Sequence, residues 1–296
     1  MKQGVAYGLF ILSLIITGAN GIIATNVALS SAETVFMRTL IASIVMTLLY
    51  VFTGHKFTFW KNWRDFILIA LSGLSMGVSW IFLYQAYFEI GVSLATLGFY
   101  CGPIIVMILA PLLFKEKITW VKVTGFIVVV VGFLLVNGIA TLTGVGTFGL
   151  FCGAMSAVFY AALVIFTKKV RVMTGLENPL FQFVFSFVAV AVYVVCTEGI
   201  GFIGTISGHD WILLLILALV NTVLASTLYF TMIGKISAQT ASILSYLELL
   251  SAVVCSIIFL GEQLTLVQTI GGFCIVGGAV FATVYQTKKE QKKSHV

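Results

Sequence analysis

Charge is what this sequence has least of. Asp, Glu, Lys and Arg make up 9% of its 296 residues, and apolar residues make up 60%. A water-facing surface needs about 25% charged residues, so a soluble domain is excluded. Histidine is scarce too: His55, His209 and His295 all lie in loops or the tail. Asp65 and Asp210 sit at the edges of apolar runs. No Ser–His pair, metal set or carboxylate dyad can therefore form at depth, and an intramembrane enzyme is not expected. The absence of a P-loop excludes a nucleotide-driven pump, and no filter-like repeat marks a channel. The cysteines, Cys101, Cys152, Cys196, Cys255 and Cys274, all fall inside apolar runs, and none forms a CxxC. They read as small core residues, with no disulfide framework, metal or other cofactor.

What is present is hydrocarbon-compatible sequence. Apolar runs fall at roughly 4–25, 32–53, 66–88, 92–114, 119–138, 147–167, 178–198, 210–232, 238–260 and 265–286. Each approaches the ~20 residues that a spanning helix needs, and together they use up the chain. Only helices satisfy their own backbone in lipid at this composition, so the expected fold is all-α, a polytopic bundle of ten transmembrane helices. The first run lacks a convincing cleavage site and reads as a helix, not a removed signal.

The net charge of +6 is distributed as a membrane protein distributes it, not as a nucleic-acid-binding face would be. With the N-terminus in the cytoplasm, 15 of the 16 basic residues fall inside, Arg38 being the exception. Glu33, Glu89, Glu198, Asp210 and Glu262 fall outside. The positive-inside rule is met with both termini cytoplasmic, in a cell (inner or plasma) membrane. The tail lysines Lys288, Lys289, Lys292 and Lys293 suit anionic headgroups.

An internal repeat appears at an offset of 146 residues, with nine identities in the 47 positions from 89 to 135. Among them Tyr100 matches Tyr246, Glu116 matches Glu262, Thr119 matches Thr265, Gly125 matches Gly271 and Gly132 matches Gly278. The offset covers five helices, an odd number, so the second copy enters the membrane upside down. The expected units are a five-helix repeat over 1–140, an inverted one over 141–287, and a basic tail over 288–296. Inverted repeats are the architecture of secondary transporters, with the site near the midplane. A pure scaffold has no need of one.

The segments 95–125 and 241–271 resemble the repeat of the drug/metabolite transporter superfamily, EamA type. The likeness is carried by Phe114-Lys115-Glu116-Lys117-Ile118-Thr119 and Leu260-Gly261-Glu262-Gln263-Leu264-Thr265. Arg38 and Tyr246-Leu247-Glu248 also resemble family features, although Leu249 stands where proline is usual; the first half keeps Pro103. The resemblance implies an alternating-access carrier of amino acids, metabolites or drugs, most members exporting and some importing.

Glu248 is the most informative residue. It lies about ten residues from each end of its run, where an acid costs ~2.5–3.5 kcal/mol. Ser237, Ala241, Ser245, Glu248, Ala252 and Cys255 share its helical face. It is the candidate for coupling protons or binding a cation. Asn20 closes a polar stripe with Ser13 and Thr17, and Asn221 and Tyr229 lie on another. The alternative for such residues is polar glue between helices. Trp80, Tyr84, Tyr100, Tyr160, Tyr229 and Tyr246 are deep aromatics, suited to an organic cation, to an aromatic solute, or to plain packing. Arg38 either attracts an anionic or zwitterionic solute or, as the favoured reading, pairs with Glu33 or Glu89 in an outer gate. Glu116 and Glu262 are expected to satisfy backbone, or Thr119 and Thr265. Gly4-x3-Gly8, Gly73-x3-Gly77, Gly98-x3-Gly102 and Gly149-x3-Gly153 read as close contacts within the chain. The expected partners are a small organic solute and the bilayer, with protons as a candidate coupling ion. Export of amino acids or related compounds leads, and proton-coupled transport of an amine or quaternary ammonium is the alternative.

Overall fold

The computed structural model describes residues 3–54, 57–116, 118–137, 146–173, 175–260 and 266–294. Among these no strand occurs. The helices are α1 (Gln3–Gly18), α2 (Asn20–Thr25), α3 (Ser31–Phe52), α4 (Trp63–Phe99), α5 (Cys101–Phe114), α6 (Trp120–Asn137), α7 (Thr147–Lys169), α8 (Glu177–Thr197), α9 (Gly208–Ile216), α10 (Ala225–Ile233), α11 (Ala238–Leu260) and α12 (Leu266–Ser294). A π-helix, Leu217–Leu224, joins α9 to α10, and α1 with α2 makes the first span. Five stretches cross a bilayer by length and composition: Ala32–Phe52, Trp63–Ala86, Thr147–Lys169, Glu177–Thr197 and Gly208–Ile233. Shorter apolar helices at Gly4–Gly18, Cys101–Phe114, Trp120–Leu135 and Thr269–Ala282, together with α11, complete the ten.

Helix α4 departs from expectation. Its 37 residues would reach about 55 Å if straight, far beyond a ~30 Å hydrocarbon core. Its contacts show two legs. Ser72 bonds the carbonyl of Leu163, and Ser79 that of Ser156, so the first leg runs antiparallel to α7. Ile90 lies at Gly149, Gly98 at Gly153 and Gly102 at Ala157, so the second runs parallel to it. The direction reverses near Glu89–Gly91, where the sequence suggests a break, although helical bonding continues through it. The helix ends instead at Phe99, with Tyr100 as the cap of α5. Pro103 explains this: it has no N–H to give Phe99, four residues back.

The inverted repeat is visible in the packing. Helix starts recur 146 residues apart, Ser31 with Glu177 and Trp120 with Leu266. The pairs α3·α8, α6·α12 and α5·α11 each map onto themselves under exchange of the halves, and α1·α11 maps onto α5·α7. On α6 and α12 the glycines cross over. A Cβ on Gly125 would meet the Gly278 carbonyl at 2.8 Å, and one on Gly132 the Gly271 carbonyl at 2.5 Å. Since Gly125 and Gly271 are equivalent, as are Gly132 and Gly278, these are a single contact made twice around a pseudo-two-fold axis. Equivalent tyrosines meet on that axis: Tyr100 and Tyr246 stack at 5.9 Å, and the Tyr246 hydroxyl donates to the Tyr100 carbonyl at 2.9 Å.

The outside of the bundle is its greasiest part. Phe52, Leu112, Trp120 and Phe273 are each at least 75% exposed, while Thr39, Ser72, Ser156 and Gln182 are fully buried. Gly73 and Gly77 press on α8, and Gly98, Gly102 and Gly149 take part in the α4/α5–α7 contacts. Gly4 and Gly8 do not follow their spacing into a contact: a Cβ at either meets nothing within 4 Å, because the neighbours of α1 lie on its other face.

Gly132→Val is expected to destabilise the chain by about 1–3 kcal/mol, read as a lowered unfolding midpoint in detergent. Gly4→Val is the control and should leave the midpoint where it is.

Candidate functional site

Glu248 projects from the middle of α11 at the place where that helix meets α1 and α2. Gly18 makes the meeting possible: a Cβ there would stand 2.6 Å from the Glu248 carbonyl. Ser251, three residues on, ties the helices by donating to the Ile15 carbonyl at 2.7 Å. The Glu248 side chain is half-buried, and it makes no hydrogen bond or ion pair with any described residue. Tyr160 and Tyr229 lie within its electrostatic reach. Tyr160 shares a 3.1 Å hydrogen bond with Ser245, on the face that carries Glu248, and the Tyr229 ring packs on Phe10 at 5.0 Å.

Three further polar atoms in this region are buried without a partner among the described residues: Asn20 Oδ1, Asn221 Nδ2 and the Tyr229 hydroxyl. They come from α2, the π-helix and α10, all of which pack with α1, and α2 also packs with α11. Buried polar atoms are satisfied in the large majority of cases, and in hydrocarbon no bulk water makes up the difference. The unpaired acid and these three orphaned groups make this junction the candidate site. The stripes Ser13, Thr17 and Ser156 are not part of it, since their hydroxyls return to their own helix carbonyls.

Arg38 requires a correction. It is 3% exposed and pairs with neither Glu33 nor Glu89. Glu33 completes the capping box that starts α3 at Ser30, and Glu89 accepts from Gln85. Arg38 instead donates from Nε to Thr222 Oγ1 at 3.2 Å and lies over the Trp80 ring at 4.4 Å. The π-helix is the reason. Its wider turn leaves the Thr222 hydroxyl donating to the Leu217 carbonyl five residues back at 2.9 Å and facing Arg38 on α3. π-bulges frequently occur at functional sites. Thr222 carries no signal in the sequence beyond being polar beside Asn221.

A cleft of about 320 Å³ lies between α3, α4 and α8, lined by Val35, Ile81, Tyr84, Gln85, Tyr193 and Glu198 among others. It belongs to the acid-bearing end of the bundle. Tyr84 thus lines the approach and not the chamber. Arg38 is one turn below Val35, and Trp80 one turn below Tyr84, so their stack lies deeper in the bundle than the residues that line the cleft. Tyr100 and Tyr246 lie elsewhere: Tyr246 is fully buried, packed on Phe133 and Tyr100 at the axis.

The lysine-rich end is stitched shut. Asp65 accepts from the backbone of Arg171, Val172 and Met173 at 3.0, 2.6 and 3.1 Å. Glu177 accepts from the Thr58 backbone and hydroxyl. Glu116 does not reach Thr119; it crosses to the other repeat and caps α11 through the N–H groups of Ala238 and Gln239. Thr119 accepts from the Lys122 backbone instead. Lys168 donates to the carbonyls of Ile233 and Ile236. Glu262 and Thr265 lie outside the described residues. Among the described residues no cluster of three His, Cys, Asp or Glu side chains is placed to hold a metal.

Comparison with known proteins finds likeness over nearly the whole chain. The model of the EamA-like transporter family matches residues 4–138 and again 147–284. The uncharacterized transporter YxxF of Bacillus subtilis (strain 168) is 24% identical over 283 residues, covering 94% of this chain and 89% of its own. The S-adenosylmethionine uptake transporter of Rickettsia felis is 28% identical over 294 residues, covering 97% and 95%. A chain of known crystal structure shares the fold with TM-score 0.76 at 16% identity, over 95% of this chain and 98% of that one.

Asp65→Ala is expected to cost about 1–3 kcal/mol, because it strands three backbone donors. Asp210 takes a backbone donor only from Ala28, with the Ser207 hydroxyl as its other partner. Asp210→Ala should therefore lower the thermal midpoint less; the reverse order would show that the loop contacts do not hold this end.

Proposed function

Since the chain belongs to the EamA-like transporter family, and so is a multi-pass membrane transporter and not an enzyme, we propose that it is a secondary, alternating-access carrier of amino acids or closely related metabolites. One observation carries the reading: the unpaired Glu248 carboxylate, at mid-membrane, among elements that hold the unpartnered Asn20, Asn221 and Tyr229. A carboxylate held this way binds either an ammonium group or a proton. Sharing it between the two makes the cycle an exchange, in which solute leaves Glu248 as a proton arrives. Driven by an inward proton gradient, that exchange is export. The cleft at the acid-bearing end and the stitched lysine-rich end are consistent with an outward-facing state of a carrier in the cell membrane, both termini in the cytoplasm.

A second reading is favoured by the aromatic rings of Tyr160 and Tyr229 within electrostatic reach of this carboxylate. They suit an organic cation such as a quaternary ammonium compound. The Rickettsia felis relative is named for uptake of S-adenosylmethionine, a molecule that joins an α-amino acid to a sulfonium cation. It keeps both solute classes in play, and it would require proton and solute to travel together.

In proteoliposomes with an imposed proton gradient, Glu248→Gln is expected to reduce amino-acid transport about 10- to 100-fold, while counterflow driven by solute alone is retained if Glu248 serves only the proton. Wild-type rates in Glu248→Gln would reject both solute readings. For orientation, a thiol placed by Lys115→Cys should react with an impermeant maleimide only after cell lysis, and one placed by Glu198→Cys in intact cells; a reversed pattern would invert the topology.

A further inference from the structure

Arg38 is a buried cation that the chamber has not neutralised. Glu248 is the acid within its electrostatic reach, yet the two form no ion pair. The guanidinium is fixed on two sides, by Nε on Thr222 and by its face on Trp80. Its Nη groups donate to no described residue. A guanidinium held in one plane with a free fork is the arrangement that receives a carboxylate through two parallel hydrogen bonds.

The two charges constrain the solute together. A purely cationic solute on Glu248 would sit in the repulsive field of Arg38. A purely anionic one on Arg38 would sit in that of Glu248. A molecule with a carboxylate at one end and an ammonium at the other turns both repulsions into attractions and fills the gap between the two side chains. We propose that Arg38 is the carboxylate subsite of the carrier, so that the chamber selects zwitterions, with the solute carboxylate on Arg38 and its ammonium on Glu248. The assignment rests on Glu248 binding the ammonium end, and it separates the amino-acid reading from the quaternary-ammonium one.

The test uses purified full-length protein and three matched probe sets: free α-amino acids, their methyl esters, and the corresponding decarboxylated amines. Binding is read by thermal shift and by competition with a labelled amino acid in proteoliposomes. Wild type is expected to prefer the free acid over its ester and amine by at least about tenfold. Arg38→Gln should erase that preference while still binding the amine through Glu248, and Arg38→Lys should restore part of it. Wild-type binding of ester and amine as tight as that of the acid, with all three lost in Glu248→Gln, would overturn the Arg38 subsite and leave the Glu248 reading intact. Binding of quaternary ammonium probes with no amino acid or amine bound would sink both. If Arg38→Gln fails to fold, the wild-type comparison of acid, ester and amine decides alone.

Discussion

Inside a bilayer a polar group must find its partner within the chain, because the lipid offers none. This structure obeys that constraint nearly everywhere. Hydroxyls bond their own helix, as Thr39 does to Val35 and Ser242 to Ala238. Gln182 spends its amide on Ser72 and Thr167. The carboxylates Asp65, Glu116 and Glu177 take backbone N–H groups at helix ends. The exceptions among the described residues are Gln182 Oε1, the Ser186 hydroxyl and the Gln239 amide, beside Asn20, Asn221 and Tyr229. The last three stand apart because their helices pack around α1, which meets the helix that carries the unpaired Glu248.

The pseudo-two-fold axis supplies the frame, and departures from it supply the chemistry. Gly125, Gly132, Gly271 and Gly278 keep α6 and α12 at backbone contact, and Tyr100 against Tyr246 fills the axis. The position equivalent to Glu248 in the first repeat is Gly102, which packs against Tyr160. One copy of the repeat thus presents a bare backbone where the other presents a charge. The repeat makes the frame symmetric, and the single acid on one side of the axis breaks that symmetry.

Much of this was legible from residues alone, and the misses share a cause. Glu248 announces itself by depth, since an acid far from either end of an apolar run is costly. The five-helix offset, and with it the inversion, follows from counting. Arg38 misled because positional charge made Glu33 and Glu89 its natural partners. The partner it takes, Thr222, is 184 residues away and faces it only because of the π-helix, which has no signature in composition or period. Glu116 satisfies backbone, one of the two expected roles, but the N–H groups it takes, those of Ala238 and Gln239, belong to the other repeat and not to its own turn. Tyr84 and Tyr246 look alike as deep aromatics, yet one lines an open cleft and the other is sealed on the axis.

The sequence by itself determined the solvent, the number of spans, the inversion of the halves and the presence of an acid in the middle of a span. These depend on composition, run length and periodicity, which are one-dimensional quantities. The tertiary structure decided which polar groups remain unpaired, where α4 reverses, and that Arg38 is held over Trp80 within the field of Glu248. Those depend on contacts between residues far apart in the chain, and hydrogen-bond satisfaction can be read only when every possible partner has a position in space.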